Sequence, residues 1–546
     1  MIVDPREAAR HIEAGRWSDR PLGALVRDHA RRRPDAPAYI EPGRVTTWSA
    51  YDSRADGLAA ALAGLCEPGE RVGLLLPDSA DFHVALLATE RAGLVAVGIG
   101  ARAGDAEIAH LLARTGARGV ITLPEHRGRD MTGLAAALRS HGADLTWHLF
   151  GGDAPRLLDV SGTVPVERPV RTRDPAGRAL GPNDLWLLNS TSGTTGLPKC
   201  VVQFQNRWIH FARLAADAGN LGPDEIFFGA VPAPFGFGLW TAHVAPTVLG
   251  VPTVVMPRFD ADLMARMIER ERVTVLCAVS TQFRMLLRSP AAARADLSGL
   301  RVMFTGGEAI GYTSAAEFEE RTGAVVLNFF GSNESGAFSC TRHDDTRDRR
   351  LRTGGRIIPE MDVRLYDERG ADITATGGPG RPGGRGPLLS GGYYRDDAAN
   401  EELYTPDGHL LMGDLVTIDA DGYLHLVGRT SDIVIRGGKN ISAVQVEEAV
   451  ATHPAVELAC VVAVPDDLFG ERVCAVVTLR AGHALTLSGL TEHLIGEGLG
   501  KELLPEHLIV VDELPQSSGG KIAKGRVRDL ATGQIRRRPR PAEVSG

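Results

Sequence analysis

Residues Ser190 to Lys199 read Ser-Thr-Ser-Gly-Thr-Thr-Gly-Leu-Pro-Lys. An apolar run from Leu185 to Leu188 leads in, and Val201 and Val202 lead out, so the segment is expected to be a loop joining two strands. Gly193 and Gly196 let the backbone curl so that several N–H groups point inward. The hydroxyls of Ser190, Thr191, Ser192, Thr194 and Thr195 add donors, and Lys199 adds a positive charge. Such a cradle suits phosphate. It is not a Walker A loop, which needs Gly-Lys-Ser/Thr opening a helix; here Pro198 precedes the lysine and a strand follows.

Two further segments occupy strand ends. Asn328-Phe329-Phe330-Gly331-Ser332-Asn333-Glu334 follows Val325, Val326 and Leu327, at the carboxyl end of a strand, where ligands of α/β sheets bind. Phe304-Thr305-Gly306-Gly307-Glu308-Ala309 follows another short strand, and its paired glycines permit close backbone approach to a flat ring. Near the end of the chain, Gly519-Gly520-Lys521 puts a long-stemmed cation on a glycine loop.

The elements that must position these residues alternate. Val72 to Leu76 reads as a buried strand. Pro77-Asp78-Ser79 starts a helix marked by Phe82, Leu86 and Leu87, and Gly93 stops it. Leu94 to Ile99 and Gly119 to Thr122 read as the next strands. This alternation predicts parallel sheets covered by helices. After about residue 360 the pattern turns β-rich, and the Gly/Pro/Arg stretch Gly377 to Gly392 reads as a surface loop before a small barrel-like sheet. A last block reads as α+β: strands at Val456 to Val464, Val473 to Leu479 and His507 to Val511, and a helix at Leu487 to Ile495.

Thr191 to Lys199 resembles the signature of the adenylate-forming superfamily, which holds acyl-CoA synthetases, the adenylation domains of peptide synthetases and beetle luciferase. The resemblance runs from about Leu22 to about Leu530, and the chain is most similar to the acyl- and aryl-CoA ligase branch. It implies an α/β fold: a large N-terminal domain of parallel sheets with a small β-barrel-like sheet (residues 1–429), then a small, rotating α+β domain (430–531). Residues 532–546, with the basic run Arg536-Arg537-Arg538-Pro539-Arg540, are expected to be a disordered tail.

The resemblance also implies roles. Thr191, Ser192, Gly193, Thr194, Thr195, Gly196 and Lys199 would hold the triphosphate of ATP. Glu334, with Thr191, would hold Mg²⁺, a metal bound through one or two carboxylates plus phosphate. Gly307, Glu308 and Ala309 would pack beside adenine. Asn328, Phe329, Phe330, Gly331, Ser332 and Asn333 match the family's Asn-x-Tyr-Gly-x-Thr motif, with Phe330 for Tyr and Asn333 for Thr. Asp414 and Arg429 would contact the ribose; Met412 stands for the family's Thr two positions before Asp414. Ser431 occupies the hinge, where Asp or Lys is usual. Lys521 would reach the α-phosphate and the substrate carboxylate. Gly437 and Gly438 would line a pantetheine tunnel.

By the same resemblance, the acid pocket is expected between Phe235, Gly236, Phe237, Gly238 and the segment at Ser335 and Gly336. Small residues beside aromatics suggest a roomy apolar cavity, and no aspartate at its start grips an amino group. The expected reaction is ATP- and Mg²⁺-dependent activation of a bulky hydrophobic acid (aromatic, alicyclic or polycyclic) as an acyl-adenylate, then thioester formation with coenzyme A. The alternative is a stand-alone adenylating enzyme that passes the acyl group to an acyl carrier protein or a separate transferase. A homodimer is compatible with this reading.

Composition bounds the partners. The net charge of −8 gives no support for nucleic-acid binding. No apolar run approaches the ~20 residues of a membrane span. Six scattered cysteines, at 66, 200, 277, 340, 460 and 474, read as free thiols of a cytoplasmic protein.

Overall fold

The computed structural model describes residues 3–152, 155–190, 198–307, 310–429, 432–437, 439–466, 468–516 and 522–537. Its N-terminal region is built on two sheets. In the first, Pro37–Glu41, Thr253–Val255, Phe227–Gly229, Val275–Cys277, Val302–Gly306 and Val325–Phe330 lie parallel, in that spatial order. In the second, Trp147–Phe150, Gly119–Thr122, Arg71–Leu75, Val95–Gly98 and Leu187–Ser190 are parallel, and Cys200–Gln203 adds antiparallel at the edge. The strands are short and almost wholly apolar because both faces are covered.

The helix Ala80–Arg91 shows how the covering works. Every residue in it except Asp81 is buried, as expected of a helix enclosed on all sides. Gly93 follows it at φ +72, a left-handed conformation that glycine adopts without a Cβ penalty. The buried Arg91 is matched by Asp52 (2.5 Å) and Asp56 (2.9 Å).

Beyond residue 360 the structure corrects one expectation. The stretch Gly377 to Gly392 is not a surface loop. It contributes Arg381–Arg385, the central strand between Asp362–Tyr366 and Leu410–Leu411. Its glycines make room for aromatic rings. A Cβ on Gly383 would sit 2.6 Å from the Tyr366 ring, and one on Gly384 would fall within the buried Phe338 ring. The hairpin Asp414–Ile418 and Leu424–Arg429 follows.

The C-terminal block forms a five-stranded sheet from Lys439–Ser442, Ile433–Arg436, Gly470–Leu479, Val456–Asp466 and His507–Val510. Alternation along Val456–Asp466 divides two cores. Ala459, Val461 and Ala463 pack with Val446, Val450, Leu490 and Leu494. Cys460, Val462 and Val464 pack with Val527 and Ala531 of the last helix, Lys524–Arg537. That helix is a second correction. Residues 532–537 are helical, not disordered, because Ile535 continues the apolar stripe that packs under the sheet; the rest of the expected tail lies outside the described residues. All six cysteines are buried and outside any disulfide, and among the described residues no helix is long and apolar enough to cross a membrane.

Gly384→Ala should destabilise the fold by about 1–3 kcal/mol, the scale of overpacking a filled core. Gly57→Ala, inside the helix Trp48–Leu65 with open space at its Cβ, should be neutral or stabilising. Urea unfolding midpoints of the two variants check this contrast.

Candidate functional site

The site starts where Val325–Phe330 ends. Phe329 turns inward and packs with Phe211, Trp240 and Phe304, at ring-centroid distances of 4.9, 5.9 and 5.6 Å. Asn328 and Phe330 take the opposite face. The Asn328 N–H donates to Thr341 Oγ1 at 2.7 Å, and Phe330 leans on Leu365, Val416 and Leu424. The chain then folds back tightly. A Cβ on Gly331 would meet the backbone of Gly336. Gly336 lies at φ +68, where a Cβ would sit 2.6 Å from Leu388 O. Ser332 and Ser335 close the turn: Ser332 N–H donates to Ser335 Oγ at 2.8 Å, and Glu334 and Ser335 N–H donate to Ser332 Oγ at 3.2 and 3.1 Å.

This turn presents Asn333 and Glu334. Asn333 exchanges amide hydrogen bonds with Asn189, at 3.0 and 2.8 Å, and its Oδ1 accepts from Gln203 Nε2 at 3.1 Å. Asn189 and Gln203 lie on the two strands that flank the phosphate-loop segment, and both are buried. Asn333 therefore ties the loop's strands to the turn. Asn189 also donates to Pro234 O at 2.9 Å, which adds the pocket segment to the same knot.

Beneath the knot lies Arg207, only 1% exposed. Its guanidinium donates to Leu388 O (2.7 Å), Asn333 O (3.0 Å), Glu334 O (3.2 Å) and Gln203 Oε1, and it stacks on Trp208 at 4.6 Å. Burial pulls its pKa down to about 9, so it stays charged at neutral pH. The planar five-donor fork of arginine suits such a ring of acceptors.

Glu334 Oε1 accepts the Tyr393 hydroxyl at 2.8 Å. The Tyr393 ring lies under Lys199 Nζ, 4.8 Å from its centroid. The last residue of the phosphate-loop motif and the candidate metal carboxylate thus meet on one tyrosine. The loop is anchored where expected, since Ser190 pairs with Cys200 across Leu187–Ser190 and Cys200–Gln203. Thr191, Ser192, Gly193, Thr194, Thr195 and Gly196 lie outside the described residues. Among the described residues no group of three or more His, Cys, Asp or Glu could hold a metal by itself. A single carboxylate is a donor set that fits Mg²⁺, which is bound through one or two carboxylates plus phosphate and keeps several of its waters.

Other expected residues are distributed around this centre. Gly306 ends Val302–Gly306, the strand beside Val325–Phe330, and Gly307 follows it; a Cβ on Gly306 would sit 2.7 Å from Phe329 O, and Gly307 lies at φ +76. Glu308 and Ala309 lie outside the described residues. Asp414 is buried and stands in register opposite Arg429. Phe235 and Phe237 are half-buried. A Cβ on Gly236 would meet Asn333 Oδ1 at 2.7 Å and the Trp208 ring at 3.1 Å, so this glycine lets the pocket segment approach the turn. Gly238 packs on the carbonyls of Val231 and Pro232. Gly437 sits at φ +56, and its N–H donates to Phe469 O at 2.8 Å. Ser431, Gly438 and Lys521 lie outside the described residues. Asn189, Gln203, Arg207 and Tyr393 are site residues that sequence reasoning missed. The available signal was polar residues ending two apolar strands (Leu-Leu-Asn-Ser and Cys-Val-Val-Gln) and a Tyr-Tyr after paired glycines.

Residues 26–394 match the model of the AMP-binding enzyme family, and residues 445–521 match that of the AMP-binding enzyme C-terminal domain. The chain belongs to the AMP-binding enzyme family. It is 33% identical to Triostin synthetase I of Streptomyces triostinicus over 97% of this chain and 98% of that one. It is 31% identical to a salicylyl-CoA synthase / salicylate adenylyltransferase of a Streptomyces species, over 97% of each. ATP-bound MatB from Rhodopseudomonas palustris superposes with a TM-score of 0.77 at 25% identity, over 93% of this chain and 99% of that one. The protein is an adenylate-forming enzyme that activates a carboxylic acid with ATP.

Arg207→Lys keeps a charge but cannot reach all four acceptors. Each acceptor left unpaired should cost about 1–3 kcal/mol. The variant should melt well below the wild type and bind ATP weakly. Thermal unfolding and ATP titration check both.

Proposed function

We propose that the protein is an acid:CoA ligase that couples a bulky hydrophobic acid, aromatic in the simplest case, to coenzyme A through an acyl-adenylate. The observation that carries this reading is the meeting of Glu334, Tyr393 and Lys199 at the mouth of the phosphate-loop hairpin. In this reading the backbone and hydroxyls from Thr191 to Gly196, with Lys199, hold the triphosphate. Glu334 and Thr191 hold Mg²⁺, which when bound neutralises phosphate charge. Asp414 and Arg429 grip the ribose, Gly307, Glu308 and Ala309 flank adenine, and the turn Asn328 to Asn333 carries the carboxylate.

The acid lies between Phe235–Gly238 and Ser335–Gly336. An aryl acid agrees with the half-buried Phe235 and Phe237 and with the salicylate named for one relative. Lys521 stabilises charge at the α-phosphate as the acid's oxygen attacks and pyrophosphate leaves. The domain of residues 430–531 then turns about Ser431 relative to residues 1–429, so that Gly437 and Gly438 line the path by which the CoA thiol displaces AMP. Transfer to a carrier protein is the second reading. The second half of the salicylate relative's name, an adenylyltransferase, stops at the adenylate and agrees with a stand-alone adenylating step before such a transfer.

Purified protein should exchange pyrophosphate into ATP only when a cognate acid is present. A panel of aryl, alicyclic and polycyclic acids, with and without CoA, separates the readings. CoA-dependent AMP release supports the ligase; exchange without CoA turnover supports the carrier-protein route; no exchange by folded, ATP-binding protein contradicts both.

Two variants test the assignment of roles. Asp414→Asn should weaken ATP binding by about 1–3 kcal/mol, as expected for one charged hydrogen bond; unchanged affinity by calorimetry removes Asp414 from the site. Lys521→Ala should slow adenylate formation by ~10²-fold or more, yet still convert a supplied acyl-adenylate and CoA to thioester. Equal loss of both half-reactions contradicts domain rotation.

A further inference from the structure

The chain segment around Tyr393 is held from every side. Val202 N–H donates to Gly392 O at 2.9 Å, and Gly391 and Tyr394 N–H donate to Val202 O and Cys200 O at 3.1 and 2.8 Å. The segment thus lies antiparallel against Cys200–Gln203, with Val201 bridged to Tyr393, directly after the phosphate loop. Ser390 N–H donates to Glu334 O at 2.8 Å. Asn400 clamps the Tyr393 backbone, accepting its N–H at 2.7 Å and donating to its carbonyl at 2.8 Å. The tyrosine so held carries its hydroxyl to Glu334 and its ring face to Lys199.

We infer that Tyr393 is a positioning residue. Its hydroxyl fixes one oxygen of Glu334 and so aims the other at the metal, while its ring sets the height of the Lys199 ammonium over the phosphates. The inference rests on the reading of Glu334 and Lys199 as parts of the nucleotide site. A carboxylate with two free oxygens rotates about its last torsion. A hydrogen bond to one oxygen removes that freedom before the metal arrives, so less order is lost on binding. The face of the ring attracts the ammonium through its quadrupole and contributes no competing anion.

The two contacts can be separated. Tyr393→Phe keeps the ring and removes the hydroxyl; Tyr393→Leu removes both. ATP affinity is measured by calorimetry with saturating Mg²⁺ and with EDTA, and bound Mn²⁺ is counted by electron paramagnetic resonance in the presence of ATP. In Tyr393→Phe the gain in ATP affinity on adding Mg²⁺ should fall about tenfold, the scale of one hydrogen bond to a charged group, while affinity in EDTA stays at the wild-type value. In Tyr393→Leu affinity in EDTA should also fall, by about two- to fivefold.

A Tyr393→Phe protein that keeps the full Mg²⁺ effect, or loses affinity equally with and without metal, overturns the inference. A wild type that binds ATP with no Mg²⁺ effect contradicts instead the underlying assignment of Glu334. Should Tyr393→Phe fail to fold, 3-fluorotyrosine at position 393 supplies the test. Its fluorine resonance should shift further when Mg²⁺ joins ATP than with ATP alone, and the absence of a metal-dependent shift overturns the inference.

Discussion

A single buried cation holds this site together. Among the described residues no carboxylate forms an ion pair with Arg207; its bonds go to three backbone carbonyls and one amide oxygen, at Gln203, Asn333, Glu334 and Leu388. Carbonyls converging in a water-free interior repel one another and need donors. One guanidinium supplies them all. The turn that carries Glu334, the strand that leaves the phosphate loop and the segment that carries Tyr393 can therefore approach only because Arg207 lies between them. Asn333, Asn189 and Gln203 form a second tier above it, an amide cluster whose members satisfy one another.

Much of this was legible in the sequence. The strand–loop–strand reading of residues 185 to 202 matches an antiparallel pair with Ser190 opposite Cys200, and Gly119–Thr122 forms at its expected limits. Short β-branched runs bounded by glycine are strong signals when both faces are buried. The misreadings have a common cause. Gly377 to Gly392 looked like a loop because glycine, proline and arginine are poor strand formers, yet two of its glycines are there so that the rings of Tyr366 and Phe338 can lie on the strand. Arg207 was invisible for a similar reason. It sits in the first half of the helix Gln205–Ala218, where every residue from Gln205 to Ala212 is buried, and an isolated arginine on a helix normally reads as a solvent-facing charge. Tertiary partners overrode local propensity at both places.

The large region and the small C-terminal block are joined differently. Arg102 reaches Gln516, five residues before Lys521, and Arg288 reaches the backbone of Glu457. Exposed polar contacts of this kind contribute little and separate easily. Within the small block, by contrast, Lys524 is held by Asp432 at 3.2 Å and Glu447 at 3.1 Å; burial works against its charge, but Glu447 and Asp432 together outweigh it and raise its pKa above the ordinary lysine value. The last helix is thereby locked to the rest of its own sheet. The described contacts thus bind the last helix into its own sheet by ion pairs and reach the neighbouring region through exposed hydrogen bonds.

The central claim is chemical: the acid is activated by bonding to the α-phosphorus of ATP. Transfer of oxygen-18 tests it most directly. An acid that supports pyrophosphate exchange is labelled in both carboxylate oxygens and turned over with ATP, Mg²⁺ and CoA, and the phosphorus resonances of the products are recorded. The account predicts a single label in the phosphoryl group of AMP and none in pyrophosphate. Label in orthophosphate alongside ADP would mean attack at the terminal phosphorus through an acyl phosphate, and would contradict it.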